Sequence, residues 1–141
     1  MKLMTGEYRH SLDSKGRVFI PARLREELGD IFFITLSMDH CLSIYSNENW
    51  KIFTDKVNAM SYISQRKMRP LFAHAVKCEL DSQGRVLIPQ ALRDYAGLNK
   101  NVAVVGCNNH AEIWDSDTWS EVNSLETSAE NIAAVLEELN F

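Results

Sequence analysis

"LDSKGRVFIP", residues 12–21, returns as "LDSQGRVLIP", residues 80–89, with only Lys15 exchanged for Gln83 and Phe19 for Leu87. Setting 12–29 against 80–97 leaves Leu, Asp, Ser, Gly, Arg, Val, Ile, Pro, Leu, Arg and Gly unchanged, 11 of 18 positions. One residue is inserted after Gly97, and "CLSIYSNENWKIF" (41–53) then lies on "HAEIWDSDTWSEV" (110–122), pairing Ile44 with Ile113 and Trp50 with Trp119. Two copies are too few for a solenoid. They predict one supersecondary unit packed face to face with its duplicate, a pseudo-dimer within one chain.

Each copy carries the same local signals. Residues 7–12 and 75–80 are strand candidates that lead into "DSKG" and "DSQG". In these turns Asp13 and Asp81 accept backbone N–H groups, and Gly16 and Gly84 supply a left-handed residue. "RVFI" and "RVLI" follow as apolar, β-branched strands. Pro21 and Pro89 stop them and suit the first turn of a helix. Leu24/Leu28 and Leu92/Ala96 then repeat at i, i+4 up to Gly29 and Gly97. A second hairpin completes each copy, "IFFITLS…CLSIY" and "NVAVVGC…HAEIW", and the Asn108–Asn109 pair tolerates the positive φ of a tight turn.

The helical additions differ between copies. Trp50, Phe53, Val57 and Met60 form one stripe after the first, and Pro70 interrupts the connector that follows. After the second copy, a short helix around Trp119 precedes a C-terminal helix. That helix has Thr127 and Glu130 as a capping box and Ile132, Val135, Leu136 and Leu139 as its apolar face. The stripes read as core or subunit contacts. The expected class is α+β: a small mixed β-barrel built from two repeats, with peripheral helices. The expected division is a first repeat with its helix over 1–60, a helical connector over 61–73, and a second repeat with C-terminal helices over 74–141, forming one compact domain.

Of the 141 residues, 45% are hydrophobic and 24% charged, enough for one medium core and unlike a disordered chain. No apolar run approaches the roughly 18–20 residues of a membrane span. Cys41, Cys78 and Cys107 are an odd number without a C-x-x-C pair, which reads as reduced thiols of a cytosolic protein. The net charge of −4 conceals an asymmetry. Residues 1–100 hold all 15 Lys and Arg against 11 Asp and Glu, giving +4, whereas residues 101–141 hold 8 acids and no Lys or Arg, giving −8. An acidic tail thus masks a basic body.

Two explanations compete for Asp13/Arg17 and Asp81/Arg85. One is structural: Asp fixes the turn and Arg pairs with a carboxylate across the pseudo-twofold axis. It accounts for Asp13, Gly16, Asp81 and Gly84. It accounts less well for Lys15 at a turn tip, for Arg9 on the preceding strand, and for Arg23 and Arg25 on the following helix. The second copy adds Lys77, Arg85 and Arg93, and the connector Arg66, Lys67 and Arg69. The other explanation is DNA binding. A two-stranded ribbon or its tip enters the major groove, where arginine grips guanine O6 and N7 for roughly 1–3 kcal/mol of discrimination. Lys15 and Arg17 suit that role, and the helix-borne Arg23 and Arg25 suit phosphates. Gln83 in place of Lys15 implies that the two turns differ in contact.

The paired "LDSxGRVxIP" motifs, with "GEYRHSLDSKGR" near the N-terminus, resemble the MraZ family, and the resemblance covers nearly the whole chain. It implies two AbrB-like swapped-hairpin repeats. It also implies a sequence-specific transcriptional regulator of the bacterial division and cell-wall gene cluster, cytoplasmic and nucleoid-associated. The partners implied are double-stranded promoter DNA, met at short direct repeats, and further copies of the chain in a ring, often of eight. Carried over by position, the DNA-contacting arginine falls on Arg17, with Arg85 equivalent in the second motif and Lys15, Arg23, Arg25 and Arg93 as accessory contacts.

Enzyme signatures are missing: none of G-x-S-x-G, G-x-G-x-x-G or a P-loop occurs. His10, His40, His74 and His110 show no H-x-x-x-H or H-E-x-x-H spacing, and His74 with Cys78 offers two ligands only. No metal and no cofactor is expected. The alternative function is an oligomeric protein-interaction module without DNA binding.

Overall fold

The computed structural model describes residues 3–141. The first copy forms β1 (Glu7–Ser11), β2 (Arg17–Phe19), α1 (Ala22–Leu28), β3 (Ile31–Leu36) and β4 (Leu42–Ser46), then α2 (Asn47–Asn58). The connector is α3 (Tyr62–Lys67) and α4 (Arg69–Ala73). The second copy forms β5 (Val76–Glu79), β6 (Arg85–Leu87), α5 (Gln90–Tyr95), β7 (Asn101–Gly106) and β8 (Ala111–Asp115), then α6 (Ser116–Glu126) and α7 (Ala129–Glu138). The mixed α+β class and the duplicated unit are as the sequence predicts.

The two copies are interleaved rather than juxtaposed. Six strands form one sheet in the order β1-β7-β8-β4-β3-β5, and β2 pairs with β6 in a separate ribbon, all antiparallel. Exchanging each strand for its counterpart reverses the sheet order and leaves it unchanged, so the pseudo-twofold axis runs through the sheet centre. Val18 faces Val86 in the ribbon and Ser43 faces Glu112 in the β4–β8 pair, which marks where the axis crosses each layer. The ladders do not close into a continuous barrel. β1 and β5 are the sheet edges, and the β2–β6 ribbon spans between them by way of the two repeated turns.

The register refines the alignment of the copies. Ser11 faces Asn101 while Glu79 faces Ile31, so β3 and β7 correspond at 70 residues' separation, and β4 and β8 at 69. Two residues therefore enter before β7, and one leaves the β7–β8 loop.

Alternation along the strands decides what each face covers. Phe32, Ile34, Leu42, Ile44, Val102, Val104 and Ile113 point to one side, where Val18, Ile20, Val86 and Ile88 of the ribbon and Leu24, Leu28 and Leu92 of α1 and α5 complete the core. On the other side Trp50 stacks on Phe33 with ring centroids 4.9 Å apart, and Phe53 on Tyr45 at 5.7 Å. Trp114 meets Trp119 of α6 there at 5.5 Å. The α2 stripe thus packs on its own sheet, with Met60 left exposed.

Helix ends follow from local chemistry. Pro21 and Pro89 stand at the N-caps of α1 and α5, and Pro70 opens α4, so the connector breaks at Met68. The capping box expected on Thr127 and Glu130 is displaced by one residue. Ser128 Oγ accepts the Asn131 N–H at 3.1 Å, while Thr127 ends α6 and donates to Asn123. Both serine and threonine are good caps; α6 claims the threonine first. Ile132, Val135, Leu136 and Leu139 of α7 are exposed.

Candidate nucleic-acid interface

The first repeated turn is built around one carboxylate. Asp13 Oδ1 accepts the backbone N–H groups of Lys15 and Arg17, both at 2.9 Å, and Oδ2 accepts Arg17 Nε at 2.7 Å. The backbone closes beneath it, from Gly16 N to Asp13 O and from Asp13 N to Arg17 O, each 3.0 Å. Gly16 sits at φ 84°, a left-handed value that side chains disfavour. The second turn repeats the arrangement. Asp81 accepts Gln83 N at 2.9 Å, Arg85 N at 3.0 Å and Arg85 Nε at 3.1 Å.

Pairing of β2 with β6 sets these turns side by side, and one contact crosses between them. Arg85 Nη1 reaches Asp13 Oδ2 at 3.4 Å. Asp13 therefore meets both arginines, and Arg85 meets both aspartates. Arg17 is held differently. Its Nε is committed to Asp13, but among the described residues neither terminal nitrogen has a protein partner, and its side chain stays 31% exposed. A guanidinium braced at Nε with both Nη groups free is prepared for bidentate recognition. The backbone N–H of Arg17, then its guanidinium and the Lys15 N–H, hold the Asp13 carboxyl down to about 2. Asp81 is lowered as well, chiefly by the backbone N–H of Arg85.

Interleaving exchanges the helices between turns. Arg93 of α5 lies over Gly16 of the first turn, so close that a Cβ there would meet its Cζ at 2.7 Å, and its Nε donates to Ile88 O at 2.9 Å. Arg25 of α1 lies over Gly84 of the second turn, 4.9 Å from the centroid of the Phe19 ring. The buried Arg25 Nε has no acceptor among the described residues. Arg25, expected beside Lys15 and Arg17, thus serves the opposite turn, and Arg93 takes its place. Arg23 joins neither: exposed on α1, it lines a depression with Glu26, Glu27, Leu3 and Thr5. Lys100, which the sequence reading passed over, is brought to the first turn because its carbonyl accepts Leu12 N at 2.7 Å. Only the β1–β7 pairing reveals it.

The first turn thereby gathers Lys15, Arg17, Arg93 and Lys100 around Asp13 beside a shallow concavity lined by Ser14, Gln90 and Asn99. The second presents Gln83 where the first has Lys15. The ribbon edge is thus polarised toward the first turn.

A duplicated, interleaved α+β unit with two braced Asp/Arg turns on one ribbon defines a two-repeat chain that brings Lys15, Arg17, Arg93 and Lys100 to one turn. A family model described as "MraZ protein, putative antitoxin-like" matches residues 3–69 and again 71–139. The protein named transcriptional regulator MraZ of Carboxydothermus hydrogenoformans is 44% identical over 135 residues, covering 93% of this chain and 94% of that one. Its namesakes from Alkaliphilus metalliredigens and Halothermothrix orenii are 44% and 43% identical over 143 residues, covering 99% of this chain and all of theirs. The chain belongs to the MraZ family, whose members named here are transcriptional regulators, a role that is not enzymatic.

Proposed function

We propose that this protein is a sequence-specific DNA-binding transcriptional regulator that reads promoter DNA through its first Asp/Arg turn. The observation that carries the reading is the Arg17 side chain: fixed by Asp13 at one nitrogen, free at two, and flanked by Lys15. Arg17 and Lys15 contact base edges in the major groove. Arg93, brought to the same turn, holds a phosphate; Arg25 does so at the second turn, and Arg23 lies at the periphery. Arg85 is mainly a brace between the turns, because its Nε and Nη1 are both engaged with carboxylates.

One such turn binds weakly. A ring of copies, with eight subunits favoured, meets successive direct repeats and raises avidity on the order of 10²–10⁴-fold. The uncovered apolar face of α7 supports self-assembly. The targets are repeats upstream of the division and cell-wall gene cluster, and the protein works in the cytoplasm in association with the nucleoid.

Fluorescence anisotropy on the chain's own upstream DNA, at several salt concentrations, tests this against a scrambled-repeat control. Tight binding to the native repeats alone is expected. Equal weak binding to both would favour the interaction-module reading, and light scattering would reveal whether a ring forms.

A further inference from the structure

We propose that the β7–β8 hairpin end holds a divalent, borderline-soft metal ion of the zinc class, through Cys107, His110 and Glu112. The sequence reading, which expected no metal, did not single out this C-x-x-H-x-E run, and the proposal stands independently of DNA binding.

The backbone brings the three side chains together. Cys107 N donates to His110 O at 2.8 Å, so these two residues flank a two-residue loop and share one face of the hairpin. Glu112 follows His110 by two positions on β8 and points the same way. One candidate ligand atom from each lies within 4.8 Å of the others, and all three residues are half-buried. Thiolate, imidazole and carboxylate together form a three-ligand zinc donor set with one position left open.

The loop is also stiff. Met4 and Asn108 exchange two backbone hydrogen bonds, both 2.8 Å, and Asn49 Nδ2 donates to Asn109 O at 2.6 Å.

A second observation concerns the imidazole. His110 Nδ1 lies 2.9 Å from Asn109 Oδ1, and its Nε2 lies 3.3 Å from Glu112 Oε2. A neutral ring that donates from Nδ1 turns the Nε2 lone pair toward that carboxylate, whereas the imidazolium forms an ion pair with it. A metal ion between Nε2 and Oε2 would accept a lone pair from each. A separation of 3.3 Å matches the roughly 3.3 Å edge between nitrogen and oxygen ligands of tetrahedral zinc at about 2.0–2.1 Å. The outer contacts fit as well: Asn109 orients His110, and Trp114 Nε1 donates to the other oxygen of Glu112 at 3.0 Å. Such partners fix metal ligands in place.

Cobalt(II), titrated into chelator-treated full-length protein, serves as the spectroscopic probe. The expected result is one equivalent bound per chain with a thiolate-to-metal charge-transfer band, displaced by zinc. The band disappears in Cys107→Ser and in His110→Gln while circular dichroism is unchanged. It survives in Cys41→Ser. Asn109→Ala leaves the band but weakens binding about 10–100-fold. Lack of a thiolate band in the intact chain, or a band that persists in both Cys107→Ser and His110→Gln, overturns the proposal. Should Cys107→Ser misfold, His110→Gln decides alone, since circular dichroism checks its fold independently.

Discussion

Asp13 and Arg85 lie 72 residues apart, yet Arg85 Nη1 sits 3.4 Å from Asp13 Oδ2. This is the only described ion pair that joins the two repeats, and it makes Asp13 unlike its counterpart. Asp13 serves two turns, whereas Asp81 serves one. Asp13→Ala should therefore lower the midpoint of urea unfolding more than Asp81→Ala. Equal losses in the two variants would mean that the crossing contact contributes nothing.

The same carboxylate sets an acid limit. Its folded value of about 2 lies below the ordinary 3.8. A depressed carboxyl stabilises the fold fully above the ordinary value, and that contribution is lost as pH falls from about 4 toward 2. Urea midpoints of the wild type should fall across that window, and those of Asp13→Asn should fall less steeply. Carbon-detected titration of the Asp13 carboxyl would give the midpoint directly.

Arg17 and Arg85 should separate by function. On the proposed DNA reading, Arg17→Ala would remove a base contact worth roughly 1–3 kcal/mol, a loss of about 5–150-fold in affinity for the native repeats, with a smaller loss of thermal midpoint than Arg85→Ala. Arg85→Ala should lower the thermal midpoint and affect affinity only secondarily. Anisotropy and calorimetry on the two variants provide the comparison.

Arg93→Ala should weaken all DNAs alike. If Arg93 holds a phosphate as proposed, the slope of log affinity against log salt should become shallower by about 0.9, with the preference for native repeats retained. A changed sequence preference would instead assign Arg93 to a base.

Gly106→Ala tests the N-terminal strap. A Cβ there would lie 2.4 Å from Thr5 N and 2.6 Å from Met4 C, distances that backbone cannot tolerate. The strap must lift and withdraw the fully buried Met4 from the core, costing about 2–5 kcal/mol. Limited proteolysis should then cut near residue 6. Gly29→Ala, with open space around it but φ 77° and ψ −172° in a region that L side chains avoid, should cost about 1–3 kcal/mol.

Much of this was legible because the signals are local. Asp13, Gly16 and Pro21 determine a turn, a left-handed residue and a helix start within ten positions, and the duplicate confirms each. The barrel expectation captured the enclosure but not the ladders, since strand pairing is a long-range property. For the same reason Arg25 looked like a neighbour of Lys15, whereas strand exchange carries it to Gly84 and brings Arg93 and Lys100 to the first turn. Ser128 rather than Thr127 caps α7 because two helices compete for one linker, which no single-helix pattern weighs. The meeting of Cys107, His110 and Glu112 depends on which side chains flank a two-residue loop, a juxtaposition that only the β7–β8 pairing makes visible.

Strand exchange also governs how the chain comes off the ribosome. Glu7 pairs with Val105, 98 residues later, and the ribbon strand β2 waits for β6. While the first copy emerges, β1 and β2 have no partners, so they stay unpaired until β6 and β7 have been synthesised. Such long-range closure is slow and leaves open strand edges exposed. A transcript broken between the copies therefore yields a fragment fit for degradation rather than a half-strength product.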